Sequence, residues 1–309
     1  MVDAKRARAQ AGRLPPLPGV YRFCDASGRV LYLGRTVSLR RRVPSYWGGL
    51  RDRRYLAGMM PHIAEVQAVA CDSAHEAAWL ERNLLRSGLP PWNRSPDGGS
   101  EAEVWIRLSE SPRAPGLDVV HAWCPGDRAK YFGPYLGGQK VREAAAGLSR
   151  VLPLAYSAEK LAGAKRDLAR VRGAGPADRA GLMRSVVAVL GRDPVAVGRV
   201  RAELGRRRDA AAARQSFEFA AKLQAEIEAI DWITAEQKVT RADATDVTVR
   251  GWADGMLVEF EIRAGRMSGW SQRHCAEEAA RRHCGQTPAE WMAFVVRNAL
   301  LAASLDLAG

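Results

Sequence analysis

A small set of polar side chains in the first third of the chain has the types and spacing to do chemistry. Tyr21 lies in Gly19-Val20-Tyr21-Arg22-Phe23-Cys24 and Tyr32 in Arg29-Val30-Leu31-Tyr32-Leu33-Gly34, on either side of Asp25-Ala26-Ser27-Gly28. Two phenols sharing one spot are either an aromatic pair that stabilises a hairpin or part of a polar site. Ser38-Leu39-Arg40-Arg41-Arg42-Val43 follows, and a guanidinium is better suited than an ammonium to grip a phosphate. Glu81 falls among apolar residues, where a carboxylate is costly unless it is paired, protonated or bound to a metal. A salt bridge to a nearby arginine and a metal site stand about level as explanations of it.

The elements that must position these groups are legible. The two tyrosine segments read as strands of a β-hairpin around a turn-rich tetrapeptide. Closed without a bulge, Cys24 faces Arg29 and Tyr21 lies directly opposite Tyr32. Ser38–Val43 reads as a short helix with Leu39 and Val43 inward, Arg42 flanking the packed side, and Arg40 and Arg41 facing out. Ser73-Ala74-His75-Glu76 is a capping box that opens a second helix. At 100° per residue, Leu80, Leu84, Ala77, Leu85 and Ala78 share one arc with Glu81 in its middle, opposite Arg82, Arg86, Trp79 and Asn83.

Composition narrows the classes. The 309 residues suffice for two or three domains, and 47 Lys+Arg against 34 Asp+Glu leave a net charge of +13, which points to a polyanionic partner such as DNA or RNA. Arginine-rich usage in an Ala/Arg/Gly-heavy chain is the plainer source of the same charge. There is no apolar run of membrane-spanning length, so no membrane role is indicated, and the basic N-terminal tail lacks the apolar stretch of a secretory signal. With five scattered cysteines and no CxxC pair, the expected location is the cytoplasm. His274-Cys275 and His283-Cys284 are read as ordinary side chains, since nine residues of helix span about 13 Å, too far for one zinc ion.

The Gly19-Val20-Tyr21 and Tyr32-Leu33-Gly34 tripeptides, Leu39–Val43, Glu81 and Pro90-Pro91-Trp92-Asn93 together resemble the GIY-YIG nuclease domain, and more narrowly that of the UvrC excision-repair family. The similarity continues past that domain. Tyr131-Phe132-Gly133-Pro134-Tyr135, Val141-Arg142-Glu143 and Leu152-Pro153-Leu154 resemble the UvrC segment that follows it. Phe217–Leu223 resembles the UVR helical hairpin that docks onto UvrB, and Asp246–Gly251 resembles the opening strand of the UvrC C-terminal half.

The resemblance implies an α/β GIY-YIG nuclease domain over 14–97, a small central antiparallel sheet flanked by helices. A UvrC-like extension follows over 98–155, with its exit loop from the first module at Pro96–Ser100 and the look of an outgrowth of that module. A helical linker over 156–198, a UVR-like helical hairpin over 199–240 and a small α+β remnant over 241–309 complete the chain. The function implied is a metal-dependent DNA endonuclease of nucleotide excision repair that makes one incision of the 3′-side type. The alternative is a catalytically degenerate accessory protein that binds DNA or UvrB.

In the implied mechanism Tyr32 is the general base and Glu81 holds one Mg²⁺ or Mn²⁺. Arg42 neutralises charge on the phosphate, and Tyr21, Tyr46 and Asn93 position it. Arg35 stands where the family commonly has lysine, and Pro44 interrupts the helix before Tyr46. Phe217 is the expected anchor on UvrB, although Gln224-Ala225 replaces the usual Arg-Asp of the hairpin. The family's iron–sulfur cysteines are missing between Cys124 and Cys275, so that cluster is expected to be absent. Residues 241–309 are too few for a second nuclease and tandem helix-hairpin-helix motifs, which makes the chain resemble a truncated paralogue.

Overall fold

The computed structural model describes residues 2–49, 54–96, 101–124, 126 and 129–307, so Asp97–Ser100 of the expected exit loop lie outside the described residues. In chain order the elements begin with α1 (Val2–Arg13), β1 (Gly19–Cys24), β2 (Val30–Thr36), α2 (Leu39–Arg42), β3 (Glu65–Ala70) and α3 (Ala74–Ser87). They continue with β4 (Glu103–Ser109), β5 (Gly116–Val120), β6 (Ala129–Leu136), α4 (Gly138–Val151), α5 (Ala164–Val171), α6 (Arg179–Leu190), α7 (Pro194–Ala213) and α8 (Phe217–Thr234). The chain closes with β7 (Val247–Ala253), β8 (Met256–Arg263), β9 (Arg266–His274), α9 (Glu277–Cys284) and α10 (Ala289–Asp306).

Two compact units result, one made of residues 1–100 with 236–309 and the other of 101–235. In the first, an antiparallel sheet of order β2-β1-β3 is flanked by helices, and β7-β8-β9 form a second antiparallel sheet. Residues 101–155 belong with the helical region instead of extending the first module, and 241–309 share a unit with the first hundred residues. The N-terminal tail is also no loose basic segment. It is helix α1, whose Ala7 and Ala11 are fully buried, and Gln10 binds the Leu305 carbonyl of α10 and the Val66 N–H of β3.

The hairpin register differs from the bulge-free expectation. Asp25 accepts the Gly28 N–H and donates to the Arg29 carbonyl, closing a three-residue loop with Gly28 at φ 81°. Cys24 then pairs with Val30, and a bulge at Leu31 puts Phe23 opposite Tyr32 and Tyr21 opposite Gly34. Tyr21 and Tyr32 therefore still share a face, but as diagonal neighbours with ring centroids 6.3 Å apart.

Helix α3 shows the largest departure from its amphipathic pattern. Trp79, Arg82 and Asn83, expected on the outer side, are buried. The segment leading to β7 covers them: the Asn83 amide donates to the Val239 carbonyl and to Thr240, and the Arg266 guanidinium at the start of β9 lies over the Trp79 ring. The Ser73 cap forms as expected, with its hydroxyl accepting the Glu76 N–H. Glu76 does not return the bond to Ser73, however. Its carboxylate takes the N–H groups of Asp72 and Lys238 instead, which again ties α3 to the C-terminal segment.

In the second unit, β5-β4-β6 form an antiparallel sheet whose Val104, Ile106 and Leu108 share one core with α4, α6, α7 and α8. The helix breaks fall at the Gly/Pro stretches, and Asp193 caps α7 by accepting the Ala196 N–H at 2.7 Å. Helices α7 and α8 are joined by Arg214–Ser216 into a hairpin.

Candidate active site

Gly34 lets the phenols approach strand β2, and Gly19 lets strands β1 and β3 and helix α2 close together. A Cβ at Gly34 would stand 2.7 Å from the Tyr21 hydroxyl and 2.9 Å from a Tyr32 ring carbon, and one at Gly19 would stand 2.2 Å from the Val69 carbonyl oxygen. Only glycine fits either place, which is the physical content of the two tripeptides. The short helix then behaves as its spacing requires: Leu39 and Val43 are fully buried, and Arg42 is half-buried.

Pro44 does end α2 after Val43, yet the chain continues as a tight helical turn over Pro44–Gly48 that carries Tyr46 inward. The Tyr46 and Tyr21 hydroxyls meet at 2.6 Å, and the rings of Tyr21, Tyr32, Phe23 and Tyr46 form one packed aromatic group. The Arg42 guanidinium lies 5.0 Å from the Tyr46 ring centroid. Burial, then the neighbouring phenols Tyr46 and Tyr32, push the Tyr21 phenol well above its ordinary value, with Arg42 opposing them. Tyr21 therefore stays neutral and acts as a hydrogen-bonding group.

Glu81 projects from α3 toward β2. One carboxylate oxygen accepts the Arg35 N–H at 3.1 Å, and the other meets the Arg35 Nε at 3.1 Å. The Glu81 side chain is about 10% exposed and that of Arg35 about 30%. Since Tyr21 rests against Gly34, the carboxylate is held one residue along β2 from the phenol cluster. Asn93 completes the framework: its amide donates to the Leu33 carbonyl and accepts the Leu33 N–H at 2.8 and 2.9 Å, as a neighbouring strand would. The structure thus brings Tyr21, Tyr32, Tyr46, Arg42, Arg35, Glu81 and Asn93 to one strand edge and the elements against it.

Asn298 of α10 does the same on the other edge of the sheet, accepting the Ala70 N–H and donating to the Ala70 carbonyl. Nothing near Asn298 in the sequence signals this role, because the pairing spans most of the chain. Phe217, at the start of α8, is 67% exposed, whereas Ala220, Leu223, Ile227 and Ile230 of the same helix are buried. Gln224 is used within the hairpin, where it accepts from Arg208 at 2.6 Å.

The donor set around Glu81 tests the fit of a metal. Among the described residues no group of three or more His, Cys, Asp or Glu side chains could hold an ion. A single buried carboxylate suits a cation that keeps most of its waters, as Mg²⁺ and Mn²⁺ do, and does not suit zinc or a calcium cage. His274, Cys275, His283 and Cys284 form no such group, and Cys275 precedes α9 instead of sharing a helix with His283.

Residues 17–94 match the model of the UvrC-like GIY-YIG domain. The UvrABC system protein C of Moorella thermoacetica is 30% identical over 273 residues, 83% of this chain and 43% of that protein. The protein of the same name from Symbiobacterium thermophilum is 31% identical over 281 residues, 84% of this chain and 43% of its own length. The chain thus spans less than half the length of these relatives. A solved structure of the GIY-YIG N-terminal endonuclease domain of UvrC from Thermotoga maritima, bound to magnesium, is 28% identical, with a TM-score of 0.26 and coverage of 28% of this chain and 94% of that one. Among the described residues no helix is long and apolar enough to cross a membrane.

Proposed function

Residues 17–94 of this chain are a UvrC-like GIY-YIG domain, and from that premise we propose that the protein is a divalent-metal-dependent DNA endonuclease of nucleotide excision repair, making one incision of the 3′-side type. The observation that carries the reading is the convergence of three phenols, Arg42 and the Glu81 carboxylate on strand β2.

Hydrolysis adds a water oxygen to phosphorus while a P–O bond to the sugar breaks, so a proton must leave the water and charge must be balanced on the phosphate. Tyr32 takes that proton as the general base. Arg42 faces the phosphate oxygens, and its planar fork matches them. Tyr21 and Tyr46, locked hydroxyl to hydroxyl, offer a neutral donor to the same phosphate. Asn93 acts one step removed, by holding Leu33 and hence the strand bearing Tyr32. Glu81 would hold one Mg²⁺ or Mn²⁺, in place of the contact it makes to the Arg35 Nε. When bound, the ion would supply positive charge at the scissile phosphate.

UvrB is the proposed protein partner, through Phe217. The exposure of Phe217 at the head of α8, whose Ala220, Leu223, Ile227 and Ile230 are buried, supports this. The Arg35–Glu81 contact favours a second reading, in which the carboxylate is a plain ion-pair partner and the chain binds DNA or UvrB without cutting.

Nicking of a damaged duplex, with and without UvrB and Mn²⁺, separates the two. The first reading requires metal-dependent nicks that fall by about two to four orders of magnitude in Tyr32→Phe. DNA binding with no nicks under any of these conditions establishes the second.

A further inference from the structure

Beside the β1–β2 turn lies an open cleft of about 880 Å³, within the range of clefts that take a small organic group. Leu31, Pro61 and Trp92 give it an apolar floor, and Asp25, Arg29 and His62 stand among its polar lining. The cleft is mechanically part of the tyrosine site. The Trp92 N–H donates to the Leu31 carbonyl, and the next residue, Asn93, clamps Leu33, so one segment both walls the cleft and fixes the strand of Tyr32. Leu31 and Arg35 are four residues apart on β2, about 13 Å, which matches roughly four base steps along one DNA strand.

Resting on the nuclease reading above, we propose that this cleft receives one unstacked base of the DNA strand, within a few nucleotides of the scissile phosphate, and prefers a base with an exocyclic amino group. An indole wall and proline edges suit the face of a nucleobase, which stacks on aromatic side chains whatever its sequence. Asp25 is fixed in place because one of its carboxylate oxygens accepts the Ser27 N–H, the Ser27 hydroxyl and the Arg29 N–H. A fixed anionic acceptor pairs with the amino group of cytosine or adenine and turns a phosphate away. The backbone of that nucleotide then runs along the Arg29 and His62 side.

The test uses the full chain and duplexes carrying a single 5-iododeoxycytidine, stepped one nucleotide at a time around the mapped nick and irradiated without added metal. The expected result is a crosslinking maximum at one position, with the crosslinked peptide containing Trp92 or His62. Arg29→Ala and His62→Ala, both surface changes checked by circular dichroism, should each cut that yield at least fivefold and raise KM for nicking without lowering kcat. Replacing cytosine by thymine at the mapped position should raise KM severalfold in the unchanged protein. A crosslink to another peptide, or equal yield along the strand while nicking persists, overturns the cleft and leaves the nuclease standing. DNA binding without nicking removes the nuclease reading, and the iodocytidine is then stepped along the whole duplex, where a single maximum on Trp92 or His62 keeps the base cleft and an even yield removes it. A chain that neither binds nor nicks DNA removes both.

Discussion

Each of the two units contains a buried glutamate held by an arginine, and the two pairs are built differently. In the second unit Glu226 is about 1% exposed, and Arg150 grips both of its oxygens, with Nε at 2.8 Å and a terminal nitrogen at 2.7 Å. The fork is complete, and it raises the Arg150 pKa. In the first unit Glu81 is more exposed and is held at 3.1 Å by one backbone N–H and one Nε, from an arginine whose side chain reaches solvent. A closed fork has no room for a third party. On the proposed function, the pair beside the phenols would trade its arginine contact for a hydrated cation, so the same two residue types would serve structure in one place and chemistry in the other.

The comparison breaks most decisively at Glu81. Glu81→Gln removes the ligand charge at nearly constant volume, so nicking should fall roughly a thousandfold or more while the melting temperature hardly moves. Undiminished cleavage in a nicking assay would take Glu81 out of the site. Glu226→Gln should do the reverse, costing about 3 kcal/mol of stability in chemical denaturation because it strands a partly buried Arg150, with turnover of the still-folded protein unchanged. If both variants lose stability and keep activity, the distinction between the two pairs fails.

Glu76 sharpens the contrast as a buried carboxylate with no arginine on it. Burial pushes its pKa up to about 7, against the N–H bonds from Asp72 and Lys238 and the Lys238 charge, and the Asp72 carboxylate adds to the rise. Against an unfolded value of about 4.3, this group supports the fold fully below pH 4.3, and its contribution is lost as pH rises through 7. Stability should therefore decline by about 3 kcal/mol on this account between pH 4.3 and 7, and Glu76→Gln should flatten that slope. Unfolding curves measured across that interval for both proteins check it.

The smallest effect belongs to the outer face of the hairpin that buries Glu226. Phe217→Ala should weaken UvrB association by roughly 2 kcal/mol, as for an aromatic anchor, and leave unfolding and nicking of simple DNA unchanged. Lower stability with unchanged UvrB capture in a pull-down would place Phe217 in the packing instead.

Local pattern carried much of this protein. The hairpin, the Leu39–Val43 turn of helix, the Ser73 cap and the Gly/Pro breaks before α6 and α7 follow from periodicity and turn chemistry, which act over a few residues, whereas Arg35, Tyr46 and Asn93 entered as candidates only through the family resemblance. The bulge at Leu31 escaped that logic because a one-residue slip is decided by loop geometry and cross-strand packing together. The outer side of α3 escaped it for a larger reason. Trp79, Arg82 and Asn83 read as solvent-facing on a helical wheel, and they are buried because Val239, Thr240 and Arg266 lie against that side of the helix. Likewise, Arg35 and Glu81 were each legible as candidates, but their contact was not. Such pairings join residues far apart in the chain, and their free energy depends on which surfaces collapse together, so they are settled only when the tertiary structure forms.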